Sequence, residues 1–284
     1  MKITNLAAHH PVGFVVVLTI VWMVLLIVAM GIAATVLHKP YGDAMTVSIG
    51  RLSVTACVLL LAWRLDWLKA SGIARLGSWQ AWLLALAGLV YVASASLYAF
   101  YGKVAFDFSS LLRLPDARAA LTTHFIASLS EEFLFRGLVL YALLRVWGRT
   151  PQGLLGSVLL ASALFALVHL TQVFTHGVSL SAASLLILQT LVIATWWGAL
   201  VVMGGSIWPA VILHFVVNAV VAVQGLTTPM VEPGILAYRQ LLWFSLPLGV
   251  LAIGLLANTS LHHVAPETHG FVDDFLKDGY HDYD

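Results

Sequence analysis

The sequence predicts an all-α fold, a polytopic transmembrane helical bundle of about eight spanning helices. Three observations predict it. Of the 284 residues, 61% are hydrophobic and 10% charged, with a mean hydropathy of +0.95, whereas a soluble domain carries about 25% charged residues. The apolar residues gather into blocks near the ~20 residues that cross about 30 Å of hydrocarbon. The blocks are spread evenly along the chain, which favours a single unit. The expected organisation is a transmembrane domain over 1–258 and an acidic, disordered tail over 259–284. Lipid-exposed strands are excluded, because an open sheet edge leaves backbone polar groups unpaired in hydrocarbon.

The eight blocks are 12–36, 45–63, 79–100, 119–147, 154–174, 182–203, 206–223 and 241–257. The first is uncharged and exceeds the roughly 7–15 residues of a signal-peptide core, so it reads as a signal-anchor and not as a cleaved leader. Between the second and third blocks, the basic segment 64–75 reads as an amphipathic linker at the interface. Trp63, Trp67, Trp79 and Trp82 stand where an aromatic belt is expected. The fourth block is longer and carries charges, so it must tilt or extend beyond the lipid. Arg149-Thr-Pro-Gln-Gly separates it from the fifth. In the seventh, Pro209 lies near the start, where proline is tolerated. Eight crossings put both termini on one side. The basic residues split six against six between the two faces, so the positive-inside rule does not decide which side that is. The 64–75 linker with Arg145 and Arg149 leans towards termini inside.

The net charge of +1 hides an asymmetry. From residue 259 onward there are six acids and one base, while the rest holds thirteen bases and seven acids. Neither part suggests a nucleic-acid partner, and the partner implied by composition is the lipid bilayer. The lone Cys57 lies in an apolar run. It excludes an intrachain disulfide and a cysteine metal cluster, and it reads as a small hydrophobe.

Ionisable groups inside spanning helices cost about 2.5–3.5 kcal/mol each on insertion scales, so the few present are informative. Three clusters stand out. In Ser130-Glu131-Glu132-Phe133-Leu134-Phe135-Arg136, Glu132 and Arg136 have the spacing of a helical ion pair. Glu131 lies about 100° round the helix and reads as the unpaired carboxylate. A structural pair with a spare glutamate is the simpler alternative. In Phe165-Ala-Leu-Val-His169 the histidine follows the phenylalanine by one turn, and a lone histidine of this kind is commonly a core residue. In His214-Phe-Val-Val-Asn218 both polar side chains project from one helix face, as a helix–helix hydrogen-bonding pair would. Taken together, a carboxylate, two histidines and an asparagine on three helices form an inventory for amide hydrolysis, with a base for water and donors for an oxyanion. His124, seven residues before Glu131, reads as a packing or entrance residue, and Gln172, His176 and Gln189 as interface or cavity-lining groups.

Glu131-Glu132-x-x-x-Arg136, Phe165-x-x-x-His169 and His214-x-x-x-Asn218 resemble, in order, the three motifs of the CPBP family. These are the type II CAAX prenyl endopeptidases and the bacteriocin-processing, Abi-like intramembrane proteases. The motif core is 119–225. The resemblance implies catalytic roles for Glu131, His169, His214 and Asn218. Glu131 would be the base on water and His169 would help hold that water, with His214 and Asn218 stabilising the oxyanion. Glu132 and Arg136 would orient the site, and Phe165 would pack it. The implied partner is a membrane-embedded or lipidated peptide. No cofactor is favoured. The family also carries a metalloprotease label, and zinc is the alternative, with Glu131, His169 and His214 as ligands. Against it, there is no His-Glu-x-x-His helix. Two other function classes are weighed: a non-catalytic immunity or scaffold protein of the same fold, and a proton-coupled transporter, for which duplicated halves are missing.

Overall fold

A computed structural model of the chain describes residues 3–101, 115–176, 179–227 and 235–258. Among these residues every regular element is helical. The tail 259–284, most of the loop 102–118 and most of the loop 225–234 lie outside them.

The short α1 (Ile3–His9) leads into α2 (Pro11–Leu37), which has proline at its start and a left-handed cap at His38. Asp43 caps α3 (Ala44–Arg64) by accepting from the Met45 amide at 3.0 Å, the use for which a short acidic side chain suits a helix start. Then come α4 (Trp79–Tyr101) and α5 (Pro115–Glu132). Without a break, α5 continues as a π-helical stretch (Phe133–Leu140) and then α6 (Tyr141–Trp147). Thr150 caps α7 (Pro151–Val168) through the Gly153 amide. The short α8 (Thr171–His176) follows. Ser179 caps α9 (Leu180–Gly204), and Gly205 ends it with φ 64°. The last two helices are α10 (Trp208–Thr227) and α11 (Ile235–Asn258).

By length and apolarity α2, α3, α7, α9 and residues 241–258 of α11 can each cross a membrane, and α4 and α10 contain the shorter apolar helices Trp79–Val90 and Trp208–Val220. The protein is an integral, multi-pass membrane protein with a helical bundle fold. The first spanning helix turns much of its surface outward, with Val17, Ile20, Ile27, Ile32 and Val36 exposed, as lipid-facing residues must be. The charged α5–α6 rod is different: the whole π-helical stretch is buried, so its polar groups point into protein and not into lipid.

The eight apolar blocks all appear as helix, with two local differences. The block 154–174 is broken at His169, which is the C-cap residue of α7 and begins a turn before α8. The block 119–147 changes from α to π geometry directly after Glu132. The linker after α3, expected as an amphipathic segment at the interface, is packed against protein along part of its length. It is a chain of turns docked on the connection between α9 and α10. The Ser78 amide donates to Gly204 O at 3.0 Å, the Ser206 hydroxyl to Arg75 O at 2.6 Å, and the Trp208 ring N–H to Ile73 O at 3.0 Å. Gly72 and Gly77 have φ of 80° and 81°, and a Cβ on either would lie within 3.0 Å of the 204–206 backbone or side chain. Only glycine meets both demands. Trp67 is buried between Phe14 and Tyr141, so it leaves the expected aromatic belt, whereas Trp63 and Trp79 are exposed.

This docking sets the parity of the crossings. The 65–78 linker and the 204–207 turn touch, so they lie at one end of the bundle. Between them the chain runs through α4, the α5–α6 rod, α7 and α9, which is an even number of passages.

Candidate active site

The end of α5 and the π-helical stretch that follows supply three charges at two levels of burial. Glu132 is fully buried, and its Oε1 accepts from Arg136 NH1 at 3.0 Å and from His214 Nδ1 at 2.8 Å. Arg136 lies across the faces of Phe165 (4.6 Å) and Trp197 (5.5 Å) and donates through NH2 to Ala194 O at 3.3 Å. A guanidinium suits this position because its planar fork can stack and donate together. Glu131, the neighbouring residue, points elsewhere and keeps 15% of its side-chain surface exposed.

The second and third motif helices close on the same point. Phe165 near the end of α7 is a shared wall: its ring packs edge-on to His169 (5.1 Å) and to His214 (5.6 Å). His169 Nδ1 lies 3.1 Å from Phe165 O. A carbonyl only accepts, so Nδ1 carries the hydrogen and Nε2 of the neutral ring keeps its lone pair. His214 in α10 is stacked on Trp197 at 4.7 Å and 23°. With Nδ1 engaged by Glu132, its Nε2 faces Glu131 Oε2 at 3.7 Å. His169 interacts with Glu131 electrostatically, without a hydrogen bond between them. Asn218, one turn beyond His214, donates from Nδ2 to the Ser128 hydroxyl at 3.1 Å, and Ser128 donates to His124 O at 2.9 Å. His124 in turn is near enough to Arg51, Glu131 and His214 to feel their charges.

One sequence expectation about the site needs correction. Glu131 is not an unpaired carboxylate: Arg51 in α3 donates from NH1 to its Oε1 at 2.6 Å. Arg51 is therefore inside the bundle with 19% of its side chain exposed. His214 and Asn218 have separate partners in Glu132 and Ser128. Arg51, Ser128 and Trp197 were not picked out from the sequence. A lone arginine in the apolar stretch of α3 was a usable signal, since such a residue normally faces the bundle interior and has a partner. Ser128 and Trp197 carry no such signal, because serine and tryptophan are ordinary in helices of this kind.

The zinc alternative fits poorly. Among the described residues no three His, Cys, Asp or Glu side chains converge as a metal-holding group. One oxygen of Glu131 is already held by a guanidinium, and a dication beside it would face that positive charge at short range. No step of the chemistry below passes through a metal.

Residues 114–220, rather more than a third of the chain, match the family model described as type II CAAX prenyl endopeptidase, Rce1-like. No curated protein and no solved structure matches the chain. The matched segment contains Glu131, Glu132, Arg136, Phe165, His169, His214 and Asn218 and leaves out Arg51. The segment of this membrane protein that carries the three motifs is thus similar to the Rce1-like type II CAAX prenyl endopeptidases.

Proposed function

We propose that the protein is an intramembrane endopeptidase that hydrolyses a peptide bond in a membrane-associated or lipidated protein or peptide. One observation carries the reading. A partly exposed carboxylate, Glu131, stands beside the His214 ring, while the fully buried Glu132–Arg136 pair fixes that ring from behind.

In this reading Glu131 takes a proton from a water as the water oxygen attacks the scissile carbonyl carbon. The lone pair on His169 Nε2 helps orient the water. The carbonyl π electrons move to oxygen, and that oxyanion is met by N–H donors from His214 Nε2, when the ring is protonated, and from Asn218. Glu132 supports the charged His214 ring through Nδ1. Glu131 then returns its proton to the leaving nitrogen, and the C–N bond breaks. Donors fixed before the reaction stabilise the developing charge without reorganising at the moment of reaction. The reaction needs no cofactor. Within the transmembrane domain 1–258, the catalytic core of this reading is 119–225 completed by α3.

The test is direct. The purified protein, reconstituted in lipid nanodiscs, is incubated with an S-farnesyl-cysteine peptide carrying three residues after the cysteine, the arrangement of a CaaX end. Products are read by mass spectrometry. Cleavage after the cysteine by wild type, its loss in Glu131→Gln with the fold intact, and persistence in strong chelator are the expected results. Equal turnover by Glu131→Gln would leave the site to a scaffold or carrier role. Loss on chelation with recovery on adding zinc would bring back the metal mechanism.

A further inference from the structure

The pairing of Glu131 with Arg51 poses a difficulty for a base. One of its two oxygens is spent on a guanidinium at 2.6 Å, so a catalytic water must compete with a cation for the same carboxylate. The pair sits at the open side of the site, with 19% and 15% of the two side chains exposed, whereas the Glu132–Arg136 pair directly behind it is closed off at 0% and 2%. The inner pair has a built surround, with two aromatic faces, a backbone carbonyl and His214. The outer guanidinium has no such surround: NH1 reaches Glu131, and Nε is shut in without a partner among the described residues. A guanidinium has five donors in a fork that matches a carboxylate. Arg51 uses few of them, and the acceptor it has found is itself a carboxylate.

We propose that Arg51 is the receptor for the C-terminal carboxylate of the peptide substrate, and that Glu131 occupies this receptor in the free protein. Binding exchanges one carboxylate for another. The substrate is anchored by its terminus, and Oε1 of Glu131 is released at the same moment to engage water, while Oε2 stays beside His214. The inference rests on the peptidase reading for the identity of the ligand. It adds a specificity residue from α3, outside the segment that matches the family, and it explains how an ion-paired glutamate can serve as a base.

The experiment uses the full-length protein in phosphatidylcholine nanodiscs and three forms of the farnesylated peptide. One has a free C-terminus, one a C-terminal carboxamide, and one a carboxamide with aspartate as last residue. Binding is measured by fluorescence anisotropy and turnover by mass spectrometry. Wild type is expected to favour the free carboxylate over the carboxamide about 10–100-fold in kcat/KM, the range of a charge-assisted hydrogen bond. Glu131→Gln removes the internal competitor, so it is expected to bind the free-carboxylate peptide several-fold more tightly than wild type while binding the carboxamide unchanged. Arg51→Gln is expected to lose the preference, and Arg51→Lys to keep part of it. A merely structural Arg51 would lower turnover on all three peptides alike and leave the ratio intact. Equal binding of carboxylate and carboxamide peptides by Glu131→Gln overturns the proposal, even where Arg51→Gln fails to fold. Recovery of binding with the terminal aspartate would reassign the receptor to side-chain carboxylates. Loss of the preference on adding anionic lipid would assign it to a headgroup. The two readings fail separately: absence of cleavage in wild type counts against the peptidase, and absence of carboxylate preference in Glu131→Gln counts against the receptor.

Discussion

At the scale of single residues, Arg136 and Asn218 give opposite expectations. Arg136 is buried with Glu132 and also holds the faces of Phe165 and Trp197. Arg136→Ala strands a carboxylate in the interior, and breaking a buried pair from one side costs about 3–5 kcal/mol. The variant is expected to express poorly and to melt lower in a detergent thermal-shift assay. A normal melting temperature with lost turnover would instead make Arg136 a direct substrate contact. Asn218→Ala breaks one hydrogen bond to a serine hydroxyl, so it should fold. As an oxyanion donor it should lose about 10²–10³ in kcat. A loss confined to KM would move Asn218 to substrate binding. The Glu132–Arg136 pair was legible in the sequence, because i,i+4 spacing is a local rule. The Arg51–Glu131 pair was not, because it joins positions 80 apart and only the packing of α3 on α5 brings them together.

At the scale of elements, the position of Arg51 depends on how closely α2 and α3 approach. Gly50 is the contact: a Cβ there would lie 2.5 Å from Met30 Cγ and 3.0 Å from Met30 N. The second neighbour is backbone and cannot rotate away. Gly50→Ala is expected to destabilise by roughly 1–3 kcal/mol through overpacking and to weaken turnover by shifting Arg51. Gly31 in α2 has nothing within 4 Å of its would-be Cβ. Gly31→Ala is therefore expected to be neutral or to gain up to about 1 kcal/mol from helix propensity. Thermal unfolding of the two variants side by side checks the pair of expectations, and equal shifts would discount the close approach. The helices themselves were readable from hydropathy, since apolar length is what a bilayer selects. The π-helical stretch 133–140 and the break at His169 were not readable. Both depend on tertiary contacts, and neither carries a proline or a glycine pair that would mark a kink.

At the scale of the whole molecule, the linker 65–78 and the turn 204–207 tie α3 to α10, the helices of Arg51 and of His214 and Asn218. The even number of passages between them extends to the ends of the bundle. Reporter fusions placed before α1 and after Asn258 are expected to report the same side of the membrane. Opposite sides would remove one crossing outside the tied interval, with the Pro209 helix α10 the first suspect. The bundle class followed from composition alone. Its closure did not, because the linker read as a polar interfacial segment until its glycines were found against the 204–206 backbone.

The distance in sequence between Arg51 and Glu131 has a consequence for biogenesis. A ribosome adding about 5–20 residues per second makes the intervening 80 residues in roughly 4–16 s. During that interval the second crossing has left the ribosome while its counter-ion has yet to be made, at an insertion cost of about 2.5–3.5 kcal/mol for a lone arginine. The apolar length of α3 must hold it in place meanwhile. A nascent chain arrested before its fifth helix therefore differs from the finished protein by a bare positive charge inside the membrane, which the arrival of Glu131 neutralises.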